Sequence, residues 1–394
     1  MEKKCKLAVI GFGQRGYSYA RMLTSTPNAE LTALCDSSPE RAECFAKELK
    51  LEHVPFFSSI DELIAKGDFD AAIITLPDFL HRDCAIACCK AGKHIMLEKP
   101  MAPTAAECRD IIKACIENKT ILQVGFVLRN HPVFRRVIEI VRSGVLGQIQ
   151  NIISAEYISV MHGASYMRRW HRKIANSGGF VLAKCSHDID IISTIANSQA
   201  RRVAAFGSLD HFTTDKLKYN HCSECPDQEC PYRFKGEFVR MNEQEKANPS
   251  EKHFDLCVYN DDKDVVDHEV LIIDFANGIK ANFSLNLFSG VSKRVIDVCG
   301  TKAILHADTS EECIKITYSD GKDPEIIECK ADNDSGHGGS DQRFLDDFVD
   351  CILNERPSTV DFNAGLASTV IGNAAEESRL TNKVVEIAPE AYMI

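Results

Sequence analysis

Short apolar runs alternate with amphipathic stretches through the first third of the chain. "KLAVIGFG" (6–13), "AELTALCD" (29–36), "DAAIITLP" (70–77), "HIMLEKP" (94–100) and "ILQVGFV" (121–127) are brief and largely apolar, which predicts strands buried on both faces. Between them, "SPERAECFAKEL" and "TAAECRDIIKACIEN" repeat apolar positions at a helical period. Strand–helix alternation of this length predicts right-handed βαβ units and a doubly wound parallel sheet.

After about residue 128 the rhythm changes. A helical "PVFRRVIEIVRSG" leads to the strands "QIQNIISAEYI" and "RRVAAFGSL". From 264 come "DVVDHEVLIIDFANGIKANFSLNLF", "KRVIDVCGT", "KAILHAD" and "CIKITYSD". Asn277-Gly278 between two alternating runs marks a hairpin. Neighbouring strands in succession predict a second α/β domain with an open, mostly antiparallel sheet. Two helices, "SDQRFLDDFVDCIL" and "AGLASTVIGNAAEESRL", close the chain. The expected division is therefore α/β throughout: residues 1–128 bind dinucleotide, and residues 129–394 bind substrate and assemble, with a polar, cysteine-containing insertion at about 210–263.

Composition narrows the function. The 394 residues are 44% hydrophobic and carry a net charge of −11, which argues against nucleic acid or an anionic membrane as partner. No apolar run reaches the length needed to span a bilayer. The first residues run into a strand without a signal-peptide pattern, and the 17 cysteines are odd in number. Together these predict a cytoplasmic protein whose cysteines, such as Cys84, Cys88 and Cys89, are mostly small buried hydrophobes.

The chemistry begins at "VIGFGQRG". Gly11, Gly13 and Gly16 follow the first strand and open a helix, and Asp36 ends the second strand 20 residues later. The glycines permit the tight turn, the approach of a pyrophosphate and close helix–strand packing, while Asp36 suits ribose hydroxyls. Phe12, Gln14 and Arg15 complete the loop that would hold the coenzyme. The acid favours NAD over NADP, and Arg41 keeps NADP open as the lesser alternative.

Glu98-Lys99-Pro100 ends a parallel strand, the edge where open α/β sheets bind ligands. With "TLPDFLH" (75–81), "VIEIVRSGVLGQIQNI", the GG…H stretch "GGFVLAKCSH", "FANGIKANFSLNLF" and "AEESRLTNKVVEI", the chain resembles the glucose–fructose oxidoreductase/inositol dehydrogenase (Gfo/Idh/MocA) family over nearly its whole length. The resemblance implies a Rossmann domain, an open sheet serving as oligomer interface in a homodimer or homotetramer, and nicotinamide-dependent oxidation or reduction of a sugar, polyol or glycoside hydroxyl. It also implies coenzyme contacts from Thr75, Pro77, His81, Glu98 and Lys99, with Lys99 near the nicotinamide and His187 as acid/base. Many members carry an aspartate four residues before that histidine; here the position is Ala183, followed by Lys184.

Hydride transfer from a carbinol needs a group to take the hydroxyl proton. His187 titrates near neutrality unaided, and Lys99 and Lys184 would do so if burial and mutual repulsion lowered their pKa values. Lys184 and His187 share a helix face, and Asp190 is expected to turn back toward the same pocket. "VMHGASYMRRWHRK" (160–173) supplies His162, Arg169 and the sole tryptophan, Trp170, as candidate sugar contacts; a basic surface loop is the competing reading. His337, in the glycine-rich "SGHGGSDQRF", is another candidate, and Ser340 or Asp341 would cap the helix that follows. Cys222, Cys225 and Cys230, with Cys257 as the best fourth ligand and His221, His211 or His253 as alternatives, point to a closed structural zinc site holding an insertion that lacks its own core; free thiols in a loop are the competing reading. Two alternatives to a net dehydrogenase stand: redox-neutral glycoside cleavage with transient use of NAD, and a non-catalytic NAD- or sugar-binding regulator.

Overall fold

The computed structural model describes residues 4–236, 239–331 and 337–394. Residues 237–238 of the expected insertion and the start of the glycine-rich loop at 335–336 lie outside the described residues.

Six strands form a parallel sheet: β1 (Cys5–Ile10), β2 (Ala29–Cys35), β3 (Phe56–Phe57), β4 (Ala71–Ile74), β5 (His94–Leu97) and β6 (Leu122–Val124). Their spatial order is β3-β2-β1-β4-β5-β6, so the direction of winding reverses between β1 and β4. At such a switch point the flanking loops part and leave a crevice at the carboxyl ends of the strands. Helices α1 (Gln14–Leu23), α2 (Pro39–Glu48), α3 (Ile60–Lys66), α4 (His81–Lys90) and α5 (Ala105–Asn118) connect them. All of β4 is buried, as its unbroken apolar "AAII" requires.

The chain then turns through α6 (Pro132–Arg142) into a second sheet. Its strands are β7 (Ile149–Ser159), β8 (Ala200–Ser208), β9 (His268–Phe275), β10 (Lys280–Ser289), β11 (Lys293–Gly300), β12 (Ala303–Asp308), β13 (Cys313–Tyr318), β14 (Glu325–Glu328) and β15 (Val385–Glu386). The order is β14-β13-β12-β11-β7-β10-β9-β8-β15; only the β7–β10 pair is parallel. The hairpin joins β9 to β10 at Gly278, whose φ of +94° suits glycine.

Between β7 and β8 lie α7 (Val160–Arg168), the short α8 (Ile174–Ser177) and α9 (Phe180–Ala196). The five-residue α10 (Glu243–Ala247) sits in the segment between β8 and β9, and α11 (Ser340–Leu353) and α12 (Phe362–Thr381) follow the sheet. α9 and α12 pack on each other, α9 against β7 and α12 against β8, so one face of the sheet is covered. On the other face Ile153, Phe206, Val270, Ile272 and Ile304 are exposed. Among the described residues no helix is long and apolar enough to cross a membrane.

The helix that the opening glycines introduce is almost wholly buried. Gly178 and Gly179 have φ of +70° and +100°, and a Cβ on Gly178 would lie 2.4 Å from the Pro103 carbonyl oxygen. Glycine is thus required where α9 starts against the first domain's chain. Buried polar side chains on such a helix need partners. Asp190 finds one in Arg129, at 2.6 and 2.8 Å. It therefore ties α9 to the segment after β6 and does not serve as the pocket carboxylate the sequence suggested, because both oxygens are spent on that guanidinium.

Candidate active site

The glycine loop leaves a positive, open helix end. Gly11 has φ of +85°, and a Cβ on Gly16 would fall 2.0 Å from the Gly11 carbonyl oxygen. Gly13 opens α1, and a Cβ there would meet nothing within 4 Å. This N-terminus has no side-chain cap and no acidic residue in its first turn. Free N–H groups facing open space are what a pyrophosphate needs. Asp36 stands beside the loop, accepting from the Phe12 N–H at 2.7 Å and the Ser38 N–H at 2.8 Å. The residues therefore fit a dinucleotide.

Several of the residues predicted to contact the coenzyme also tie the crevice together. Phe12 gives only its N–H; its ring is buried 5.9 Å from Phe45. The Thr75 hydroxyl donates to the Gly11 carbonyl at 2.5 Å, binding β4 to the loop, and Pro77 begins the turn that follows. His81 is fully buried, with its ring nitrogens 2.9 Å from Leu76 O and 3.0 Å from Pro100 O. Arg15 donates to Glu98 at 2.7 Å and to Asp341 at 2.8 Å, fastening α1 to β5 and α11. Asp341 is therefore an ion-pair partner, and Gly339 holds the cap position expected of Ser340 or Asp341. Gln14 stays exposed at the first position of α1, and Arg41 pairs with Glu245 at 2.6 Å.

At the end of β5 the crevice meets α9. The Lys99 ammonium donates to the Ala183 carbonyl at 2.9 Å, so a main-chain oxygen serves Lys99 where the family's aspartate is missing. Lys184 turns the other way and donates to Glu156 at 2.5 Å. Glu156 lies directly across from Arg294 in the β7–β11 ladder and accepts from it, while Arg294 Nε donates to Asp188 at 2.9 Å. Burial alone would raise the Glu156 carboxyl, but Arg294 and Lys184 hold it down at about 2. Burial carries Asp188 up to about 7 against Arg294.

The consequences for Lys99 and His187 follow from charge. Burial, and next the Lys184 ammonium, lower the Lys99 pKa. Burial, then Lys99 and His337, push His187 well below its usual value, leaving a neutral imidazole at pH 7. Its buried Nδ1 has no hydrogen-bond partner among the described residues. The His187 ring lies 6.0 Å from that of His337, which is itself held by Asp341 at 2.9 Å. The site thus offers a neutral acceptor beside an amine whose charge is disfavoured.

The outer wall carries the candidate substrate groups. Trp170 is edge-on to Phe79 at 6.0 Å and stacked on His171 at 3.6 Å. His162, half-buried, is pushed down to about 3 by desolvation and then by the Lys184 ammonium, and burial lowers Arg169. Sequence reasoning missed Asp78, which is buried near Lys99 and Arg169 with one oxygen unpartnered. It also missed Glu156 and Arg294. A signal existed for Glu156: it occupies an inward position in β7, in register with buried Ile152, Ser154 and Ile158.

Among the described residues, the four cysteines expected to hold zinc do not gather into a ligand set. Cys222, Cys225, Cys230 and Cys257 are free and partly exposed. A tetrahedral thiolate site would bring its sulfurs within about 4 Å of one another. Among the described residues, the group of three potential ligands with all atoms within 4.8 Å is Glu156, Cys185 and Asp188, already engaged by Lys184 and Arg294. The segment instead has a small core, with Phe212 and Tyr232 rings 5.1 Å apart. Arg168 reaches into it, donating to Leu256 O at 2.8 Å with Nη2 3.7 Å from Cys222 Sγ. The buried guanidinium and the aromatic cluster tie this segment together.

Residues 5–126 match the profile of an oxidoreductase family with an NAD-binding Rossmann fold, and residues 138–387 match that family's C-terminal alpha/beta domain. The putative oxidoreductase YteT of Bacillus subtilis is 25% identical over 349 residues, 81% of each chain. The scyllo-inositol 2-dehydrogenase (NAD+) of the same organism is 28% identical over 219 residues, 53% of this chain and 59% of that enzyme. A levoglucosan dehydrogenase solved with NADH and levoglucosan superposes with a TM-score of 0.78 at 18% identity, covering 98% of this chain and 99% of the other.

Proposed function

The chain belongs to the Gfo/Idh/MocA oxidoreductase family, and from that premise we propose that it is an NAD-dependent dehydrogenase acting on a secondary hydroxyl of a sugar, polyol or glycoside. The observation that carries the reading is the neutral, unpartnered His187 nitrogen beside Lys99, at the carboxyl edge of the parallel sheet. Gly13 and the N-terminus of α1 would hold the pyrophosphate, and Asp36 the adenosine ribose. The nicotinamide, when bound, supplies the hydride acceptor or donor. His187 and Lys99 take the hydroxyl proton on oxidation and return it on reduction, as microscopic reversibility requires. Lys184, fixed by Glu156, biases Lys99 toward its neutral form. Trp170 offers an aromatic face to sugar C–H groups, while His162, Arg169 and His337 meet hydroxyls.

The exposed apolar face of the second sheet supports a homo-oligomer built from two such faces. The 17 free thiols suit the reducing cytoplasm. A panel of polyols, aldoses and glycosides, assayed with NAD for both NADH and released sugar, tests the reading. NADH formed in proportion to oxidised substrate supports it; glycoside cleavage without net NADH would replace it with the redox-neutral alternative.

A further inference from the structure

The segment between β8 and β9 does more than fill surface. It leaves the second sheet and packs on the first domain beside the glycine loop. The Arg240 guanidinium lies 3.3 Å above the Tyr17 ring and 5.3 Å from that of Phe45, residues of α1 and α2. It also reaches Glu48 at 2.5 Å, and Glu48 accepts from the Tyr17 hydroxyl at 2.7 Å. Five residues past Arg240, Glu245 meets Arg41 at 2.6 Å.

Arg41 follows Asp36 by five residues, on the first turn of α2. In a dinucleotide fold, the acid after the second strand meets the ribose hydroxyls, and an arginine close by is what accommodates a 2′-phosphate. Left to itself, Arg41 is therefore the cation that would admit NADP. We infer that Glu245 sets the coenzyme preference by occupying Arg41, so that a 2′-phosphate meets two carboxylates, Asp36 and Glu245, with one guanidinium already committed. This rests on the coenzyme reading above and adds to it a residue from the other domain's connecting segment.

The geometry is pre-set. Glu245 is buried, and both its oxygens are in use: Oε2 accepts the Asn242 N–H at 3.0 Å, and Oε1 takes Arg41. Asn242 returns the contact by accepting the Glu245 N–H at 2.8 Å, closing a capping box on α10. The carboxylate cannot swing aside without undoing its own helix start. Arg41, by contrast, keeps a buried Nε with no partner, a donor that a phosphate could use once the carboxylate is neutralised.

The test is equilibrium binding of NADH and NADPH to the full chain, read by nucleotide fluorescence. Glu245→Gln keeps the capping acceptor and removes the charge. The ratio Kd(NADPH)/Kd(NADH) should fall about tenfold, and the gain should vanish in the Arg41→Ala/Glu245→Gln double variant. Arg41→Ala alone, which needs no change at Glu245, should leave NADPH no weaker relative to NADH. An unchanged ratio in folded Glu245→Gln, or selective weakening of NADPH in Arg41→Ala, would overturn the inference. If wild-type protein binds neither nucleotide, the coenzyme reading itself fails and this one with it.

Discussion

In the proposed mechanism Lys184 acts by its charge, leaving the proton to Lys99 and His187. Its ammonium is spent on Glu156, yet after burial it is the strongest influence lowering Lys99. Lys99 accepts a proton only when neutral, so activity should rise with pH through its pKa. Replacing Lys184 by Met removes the like charge and leaves Glu156 facing the pocket, and both changes raise that pKa. The rising limb of kcat/KM against pH should therefore move to higher pH in Lys184→Met; a limb that stays in place would remove Lys184 from this role. His187→Ala should cut turnover by roughly 10²-fold or more, measured as initial NADH formation, because the neutral acceptor is gone. Lys99, Lys184 and His187 were legible because motif spacing fixes their positions along the chain. Glu156 and Arg294 were not, since their pairing depends on which strands become neighbours, and β7 ends at Ser159 while β11 begins only at Lys293.

Elements were legible in proportion to their length. Helices such as Ser340–Leu353 show several turns of period, whereas β3, with two residues, shows none. α7 was hidden because its apolar positions are interrupted by His162, Gly163 and Ser165. At Gly163 a Cβ would sit within 2 Å of the Leu287 carbonyl oxygen, so the sequence there answers to close packing. Cysteine spacing has a related limit: it cannot show that Arg168, far upstream, enters the segment with Nη2 3.7 Å from Cys222 Sγ. α9 invites a direct test of element anchoring. Asp190→Ala leaves Arg129, largely buried, without its carboxylate, and stranding one member of such a pair costs about 3–5 kcal/mol. Urea unfolding should show a loss of that order; a change below about 1 kcal/mol would mean that α9 is held by its apolar packing alone.

At the scale of the molecule, the second sheet is covered on one face and bare on the other. Phe206 and Val270 are cross-strand neighbours in the β8–β9 pair, and Ile272 and Ile153 flank Asn282 in the same row. Phe206 is 63% exposed and Ile272 59%, on neighbouring strands β8 and β9 of the nine-stranded sheet. Aromatic and β-branched side chains in adjoining rows form a continuous apolar surface, which a monomer has no reason to leave to water. A second copy laid face to face about a two-fold axis would bury it in a self-complementary contact. Wild-type protein should therefore run as a multiple of the chain mass by light scattering at micromolar concentration. Ile272→Glu would set two like charges near one another across a two-fold contact and desolvate both, so the mass should fall to that of one chain. Because this face is remote in the fold from the crevice between β1 and β4, NADH binding per chain should survive the dissociation. A wild-type protein that is already monomeric, or a variant that stays assembled, would show that the bare face is not the contact.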